Sequence, residues 1–139
     1  MRDETDRLMF YRALEERPHD FDFFQSLRRI ECLNPDKPRL GRAQRPVDEP
    51  VRLGQDVFMN FAPAPIASFG KGEADRAPRL DQRIFGCFGP NGPLPLHLTD
   101  FVRERVLHHG DRTFVRFADV FHHRLLELFY RAWASAQPT

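Results

Sequence analysis

The chain has 139 residues, a length that suits one domain with its own hydrophobic core. Its 21 Lys and Arg residues are balanced by 20 Asp and Glu. It therefore lacks the surplus positive charge of proteins that bind phosphate backbones, and we expect no nucleic-acid partner. No apolar run approaches the ~20 residues of a membrane span or the ~7–15 of a signal peptide core, which predicts a soluble, cytoplasmic protein without direct membrane insertion. Cys32 and Cys87 are too few for a disulfide framework and are expected to be reduced and buried.

The first part of the chain predicts a helix that follows a proline. Residues 1–18 carry only a weak helical pattern before Pro18, and we interpret them as an N-terminal extension or a short helix. A helix is predicted at about 20–33, with Asp20 or Asp22 available to cap its N-terminus. One face of this helix is apolar at helical spacing and comprises Phe23, Phe24, Leu27, Ile30 and Leu33.

The middle of the chain contains a polar, proline-rich segment followed by a segment of short apolar runs. Residues 35–50 are rich in proline and predict a polar loop, whose arginines at 39–45 are read as solvated and, as an alternative, as a contact for an acidic partner. Residues 51–88 then contain short apolar runs separated by proline or glycine, which predicts a small antiparallel sheet or meander. An exposed hairpin connection is expected at 70–75.

The stretch from Gly86 to Pro95 interleaves glycine with proline and predicts a rigid bend that directs the following helix. It superficially resembles a phosphate-binding loop, but its prolines remove the N–H groups that would hold phosphate, and no Lys-Ser/Thr pair follows. The candidate structural-turn residues are Phe85, Phe88, Gly89, Pro90, Asn91, Gly92 and Pro93.

Two helices are predicted in the last part of the chain. The first covers about 99–109, with Thr99 as its N-cap and Gly110 directly after its end. The second covers about 112–134 and is the clearest element of the sequence. Together with the small sheet, these helices predict an α+β fold.

The final helix carries two apolar stripes about 100° apart, and one small domain seldom buries both. The broader stripe is expected to build the core and comprises Phe114, Phe117, Ala118, Phe121, Leu125, Leu128, Phe129 and Ala132. The second stripe is expected to face outward as the partner interface and comprises Val115, His122, Leu126, Tyr130 and Trp133.

Histidines and cysteines offer the only hint of catalysis. Zinc needs ligands that converge, whereas the adjacent pairs His108-His109 and His122-His123 diverge by about 100° on a helix, and an HExxH motif is absent from the sequence. Cys87 or Cys32 could be drawn with a histidine and a carboxylate as a nucleophile set, but a buried, unreactive thiol is the more frequent case. We therefore expect neither a metal or other cofactor nor a catalytic site, and keep a metal- or thiol-dependent hydrolase as the alternative.

Five blocks of the sequence together form a recognisable pattern, and they are FDFFQSLRRIE at 21–31, RLGR at 39–42, PVRLGQ at 50–55, FGCFGPNGPLPLHLT at 85–99 and FHHRLLELFYRAW at 121–133. These blocks resemble the TssG (ImpH/VasB) family. The resemblance departs at Cys87, where a larger apolar residue is usual, and at Asp100, where glutamate is common.

This resemblance implies a structural subunit of the type VI secretion baseplate wedge, with no small-molecule substrate. The implied partners are TssF- and TssK-like subunits and, through the complex, the sheath initiator and the hub, on the cytoplasmic side of the bacterial inner membrane. Family chains usually continue further, so residues 19–139 are expected to form a single N-terminal domain, and the C-terminal half of the family's chain is expected to be absent. A stand-alone adaptor domain is a further alternative.

Overall fold

The computed structural model describes residues 2–70 and 76–137, and it confirms the α+β fold with a mixed three-stranded sheet. Single 3-10 turns lie at Pro18–Asp20 and Pro46–Asp48. The helices are α1 (Arg2–Glu16), α2 (Phe23–Leu33), α3 (Leu96–His109) and α4 (Thr113–Ala136), and the strands are β1 (Arg52–Gln55), β2 (Ile66–Gly70) and β3 (Arg79–Gln82).

The two N-terminal helices differ in how clearly the sequence predicts them. The Asp22 carboxylate accepts a hydrogen bond from the Gln25 N–H at 3.0 Å, so the predicted cap of α2 is confirmed. α1 forms despite its weak pattern, because Phe10 and Leu14 are buried against the same core as α2. Residues 2–16 are thus packed on the body of the protein.

The start of α3 was predicted wrongly, and its end was predicted correctly. The helix begins at Leu96 with Pro95 at the N-cap, so Thr99 is not the cap. The Pro95 carbonyl accepts hydrogen bonds from the Leu98 and Thr99 N–H groups at 3.0 and 3.4 Å, so the helix begins before Thr99. The buried Thr99 hydroxyl instead accepts a hydrogen bond from the Gly89 N–H at 3.2 Å. At the other end, Gly110 has a left-handed φ of 62°, as predicted for the residue after the helix.

The sheet has the order β1-β3-β2, so β3 lies between the other two strands. β2 pairs with β3 antiparallel, as expected, but β1 pairs with β3 in parallel, with Leu53 opposite Leu80. The expectation of an antiparallel sheet or meander is therefore wrong for β1, because β3 lies between the other two strands and runs parallel to β1. The predicted hairpin connection at 70–75 lies outside the described residues except for Gly70, which ends β2.

The main core joins α1, α2, the sheet and α4, while a smaller cluster lies between α3 and the first half of α4. Neither cysteine is fully buried as expected, since Cys32 is exposed and Cys87 half-buried. The main core comprises Phe10, Leu14, Phe23, Leu27, Ile30, Leu40, Val51, Leu53, Ile66, Phe69, Leu80, Leu126 and Tyr130, and the smaller cluster Phe88, Val102, Val115 and Ala118.

The orientation of α4 is the reverse of the prediction. Within the stripe expected to build the core, Ala118 is buried, but Phe117 and Phe121 are 62% and 55% exposed. The stripe expected to face outward points into the protein: Leu126 and His122 are 0% exposed, and Val115 and Tyr130 are also buried, with Trp133 half-buried. Within the described residues, none of the helices is long and apolar enough to cross a membrane.

Candidate functional site

Polar side chains of α4 bind the free edge of the sheet. β1 is an edge strand, and two of its backbone N–H groups point away from β3 toward α4. The Leu53 N–H donates to His123 Nδ1 at 3.0 Å, and the Gln55 N–H donates to Asp119 Oδ1 at 3.1 Å. Four residues along a helix and two along a strand both span about 6 Å, so the spacings match. α4 thus covers an edge that would otherwise be open to another strand.

Asp119 also anchors an ion-pair cluster beneath α4. It pairs with Arg79 of β3, and Arg79 Nε lies 3.1 Å from Asp81. Burial raises the pKa of Asp81, while the nearby Arg79 acts in the opposite direction. A Cβ on Gly54 would lie 2.3 Å from the Arg79 side chain and 2.8 Å from Asp119, so only glycine leaves room for this cluster. The glycine of the PVRLGQ block is therefore a packing requirement of α4.

His122 links the same aspartate to the bend. Its Nδ1 lies 2.9 Å from Asp119 Oδ1, and its Nε2 accepts the Cys87 N–H at 2.9 Å. Because Nε2 accepts, the ring proton is on Nδ1 and is donated to the carboxylate. Asp119, His122 and Cys87 resemble a nucleophile set in outline, but the lone pair that a base would use is occupied by a backbone amide. This geometry disfavours the thiol hydrolase alternative.

Glu49, His123 and Glu127 form a buried trio that the sequence analysis did not identify. One ligand-type atom from each lies within 4.8 Å of the others. His123 Nε2 is 3.1 Å from Glu49 Oε2 and 2.6 Å from Glu127 Oε1. Since His123 Nδ1 accepts the Leu53 N–H, the ring proton lies on Nε2 between the two carboxylates. A metal ion between these groups would need a lone pair on His123 Nε2, but Nε2 carries the ring proton. The donor set as arranged therefore does not fit a metal.

The trio holds two carboxyl groups in a buried space, and their pKa values move apart. Burial raises the pKa of Glu49, and the neighbouring Glu127 adds to this effect. Against the effect of burial, the hydrogen bond from His123 lowers the pKa of Glu127. Burial lowers the pKa of His123, whereas the hydrogen bonds and charges of the two glutamates raise it. Because Nδ1 accepts the Leu53 N–H, the ring is neutral in this arrangement. Glu49 is therefore the group that takes up a proton first.

Two glutamines hold the bend against the sheet. Gln55 and Gln82 are opposite each other at the ends of β1 and β3. The Gln55 side chain donates to the Phe88 carbonyl at 2.9 Å and accepts the Phe88 N–H at 3.0 Å, which imitates a strand pairing. Gln82 accepts the N–H groups of Ile84 and Phe85, both at 2.8 Å. The sequence signal that could have identified them is a glutamine at the end of each strand, at a position where the alternation predicts an apolar residue.

Residues 83–94 form bends and a turn, and residues 84–88 are not a strand. Gly89 has a φ of 97°, and a Cβ on Gly92 would lie 2.5 Å from the Cys87 carbonyl oxygen, so both glycines are required. Phe88 is buried, whereas Phe85 stacks on Phe129 at 6.0 Å and remains partly exposed. Around them, Asn91 and Pro93 are exposed and Pro90 is half-buried.

The RLGR loop is also docked, contrary to the expectation of a loop without packed structure. Leu40 is buried in the main core, and its N–H donates to Glu31 Oε2 at 2.9 Å. The Gly41 carbonyl accepts hydrogen bonds from Arg124 and Arg131 of α4 at 3.3 and 3.1 Å. This short sequence therefore ties α2 and α4 together.

The residues predicted as partner contacts instead secure α4 within the chain. Tyr130 donates its hydroxyl proton to Glu31, and burial raises the pKa of Tyr130. Trp133 stacks on Phe24 at 5.1 Å and on Tyr130 at 5.9 Å. Together with the burial of Val115, His122 and Leu126, these contacts show that the expected outward position of the stripe is wrong.

The opposite side of α4 presents a large exposed apolar surface. Its rings contact one another in series, with Phe114 and Phe117 at 6.5 Å and Phe117 and Phe121 at 5.6 Å. Exposed apolar patches of this kind mark interaction surfaces. We call it the aromatic face, and it comprises Phe114, Phe117, Phe121, Leu125, Leu128 and Phe129.

Comparison with known proteins identifies the family. Neither a curated protein nor a solved structure matches the chain. A family model described as "Type VI secretion, TssG" matches residues 17–139, which is most of the chain. That match includes the bend, the docked RLGR loop and α4, so the chain belongs to the TssG family of type VI secretion components.

Proposed function

We propose that the protein is a structural subunit of the type VI secretion baseplate wedge, acting on the cytoplasmic side of the inner membrane. It assembles with TssF- and TssK-like subunits and, through them, with the sheath initiator and the hub. The observation that carries this proposal is the family match over residues 17–139. The aromatic face supports it, because a stand-alone adaptor would not be expected to expose such a patch.

The polar groups of the chain support a structural role. The free lone pairs of His122 and His123 accept backbone N–H groups from the bend and from β1. Asp119 is engaged by Arg79 and by the Gln55 N–H. Groups used in this way hold α4 in place and are not available for proton transfer to a substrate.

The direct test is co-expression of this chain with the TssF-like subunit, followed by size-exclusion chromatography with light scattering. We expect a complex that elutes with the summed mass of both proteins in a fixed ratio. The chain alone, run under the same conditions, is the control. A chain that elutes separately from the TssF-like subunit would contradict the proposal for these residues.

A further inference from the structure

We propose that the aromatic face of α4 binds one amphipathic helix of a partner subunit, and that acidic residues flank the apolar stripe of that helix. The inference rests on the proposed function, since it assigns a surface to the assembly described above. The alternative occupants are a second copy of this chain and an anionic membrane. Spacing, shape and charge each bear on the choice.

The spacing of the face suits a helix. Phe114, Phe121 and Leu128 recur at intervals of seven residues, and Phe117 and Leu125 fall between them on the same side. Such a repeat keeps an apolar seam in line with a neighbouring helix. α4 has 24 residues, which gives a straight platform roughly 36 Å long.

A cavity beside the face provides a place for an anchoring side chain. It has a volume of about 370 Å³ and opens between the bend and the middle of α4. A large apolar residue on the docked helix could enter it, as buried anchors do at many interfaces. Its lining includes Phe58, Phe85, Cys87, Pro93, His122 and Leu125.

The charged residues of α4 indicate which occupant the aromatic face binds. The acidic residues of α4, Asp119 and Glu127, are buried, whereas Arg124 is exposed beside the aromatic face. The α4 helix of a second copy would bring another Arg124 and no exposed carboxylate, so it would leave this charge without a partner. A helix with Asp or Glu along that border would oppose Arg124 with a carboxylate. Complementary charge therefore favours a different protein over self-association.

Three variants of the full chain, with Arg12→Glu as a further control, test the proposal through their affinity for the immobilised TssF-like subunit. The double variant Phe117→Asp/Phe121→Asp should bind about 30-fold or more weakly, because it places charge at the centre of the interface. Arg124→Glu should weaken binding by up to about fivefold and reduce its dependence on salt. Phe61→Asp alters an 82% exposed phenylalanine in the loop after β1 and should bind normally. Circular dichroism verifies that each variant is folded.

The outcomes separate the surface from the proposed function. If the unmodified chain binds and the double variant binds equally well, the proposed function stands and the aromatic-face inference is overturned. If the unmodified chain does not bind, both are contradicted. Flotation with phosphatidylglycerol vesicles and light scattering test the two other occupants. If the double variant binds the subunit normally but no longer floats with the vesicles, the face binds a membrane. If it binds the subunit normally but loses a dimer that the unmodified chain forms, the face binds a second copy. Weaker binding by Arg12→Glu, a matched exposed position on α1, would refute the assignment of acidic contacts to Arg124.

Discussion

α2 and α4 pack against the same core, yet they turn opposite kinds of face toward it. On α2, the apolar residues Phe23, Leu27 and Ile30 are buried, as an amphipathic pattern predicts. On α4, the buried side holds Asp119, His122, His123 and Glu127 among apolar residues, and the phenylalanines face outward. Hydrophobic periodicity therefore located both helices but identified the inward face of only one.

The difference arises from what each helix meets. α2 packs on apolar residues of the core, so burying its apolar face is sufficient. α4 meets the edge of β1, where the N–H groups of Leu53 and Gln55 need acceptors. A buried N–H without a partner costs about 1–3 kcal/mol, so a helix that supplies acceptors at the right spacing is favoured there.

The largest expected effect comes from removing the central acceptor of α4. Asp119→Ala should lower the free energy of unfolding by about 3–5 kcal/mol, because it removes one of the two carboxylates that hold Arg79 and leaves the Gln55 N–H without its acceptor. Urea unfolding measures this change. The matched control is Asp48→Ala, which breaks an exposed 3.3 Å ion pair with Arg45 and should cost less than about 1 kcal/mol. Equal losses in both variants would refute the buried role of Asp119.

A pair of truncations on α4 sharpens the comparison of its two sides. Leu126→Ala should cost about 2–5 kcal/mol of unfolding free energy, because Leu126 is fully buried. Phe121→Ala should change that free energy by no more than about 0.5 kcal/mol, because its ring is largely exposed. On α2, Leu27→Ala should match Leu126→Ala, which ties both helices to one core. A larger loss for Phe121→Ala than for Leu126→Ala would reverse our assignment of the core face.

The smallest expected effect depends on pH. Because burial raises the pKa of Glu49, its protonated form is favoured in the folded state, and that contribution is lost as pH rises through the folded-state pKa. Glu49→Gln keeps an acceptor for His123 and imitates the protonated form. It should unfold like the parent at pH 4 and be more stable by on the order of 1 kcal/mol at pH 8. Thermal unfolding at both pH values measures the difference, and a Glu49→Gln chain that is less stable at pH 8 would contradict it.

Most features that depend on residues adjacent in the sequence were predicted correctly, with the Thr99 cap as the exception. The Asp22 cap, the end of α3 at Gly110 and the bend around Gly89 all follow from local backbone requirements. The parallel pairing of β1 with β3 could not be predicted, because it depends on which strand takes the central position.

The candidate site was missed because polar residues were assumed to face solvent. Asp119, His123 and Glu127 recur at intervals of four on one side of α4, and that spacing matches alternate N–H groups of an edge strand. Polar residues at intervals of four also occur on helix faces that are exposed to solvent. Only the position of β1 shows that this face binds a strand edge, and that position depends on the tertiary structure.

The orientation of α4 can be measured directly by thiol labelling in a Cys32→Ser/Cys87→Ser background. Phe121→Cys and Leu126→Cys would be introduced separately and labelled with a maleimide in the folded and urea-unfolded states. We predict that the thiol at position 121 reacts nearly as fast in the folded as in the unfolded protein, and that the thiol at 126 is strongly protected. Protection at 121 together with rapid labelling at 126 would show that the phenylalanine stripe is the inner face, contradicting the account.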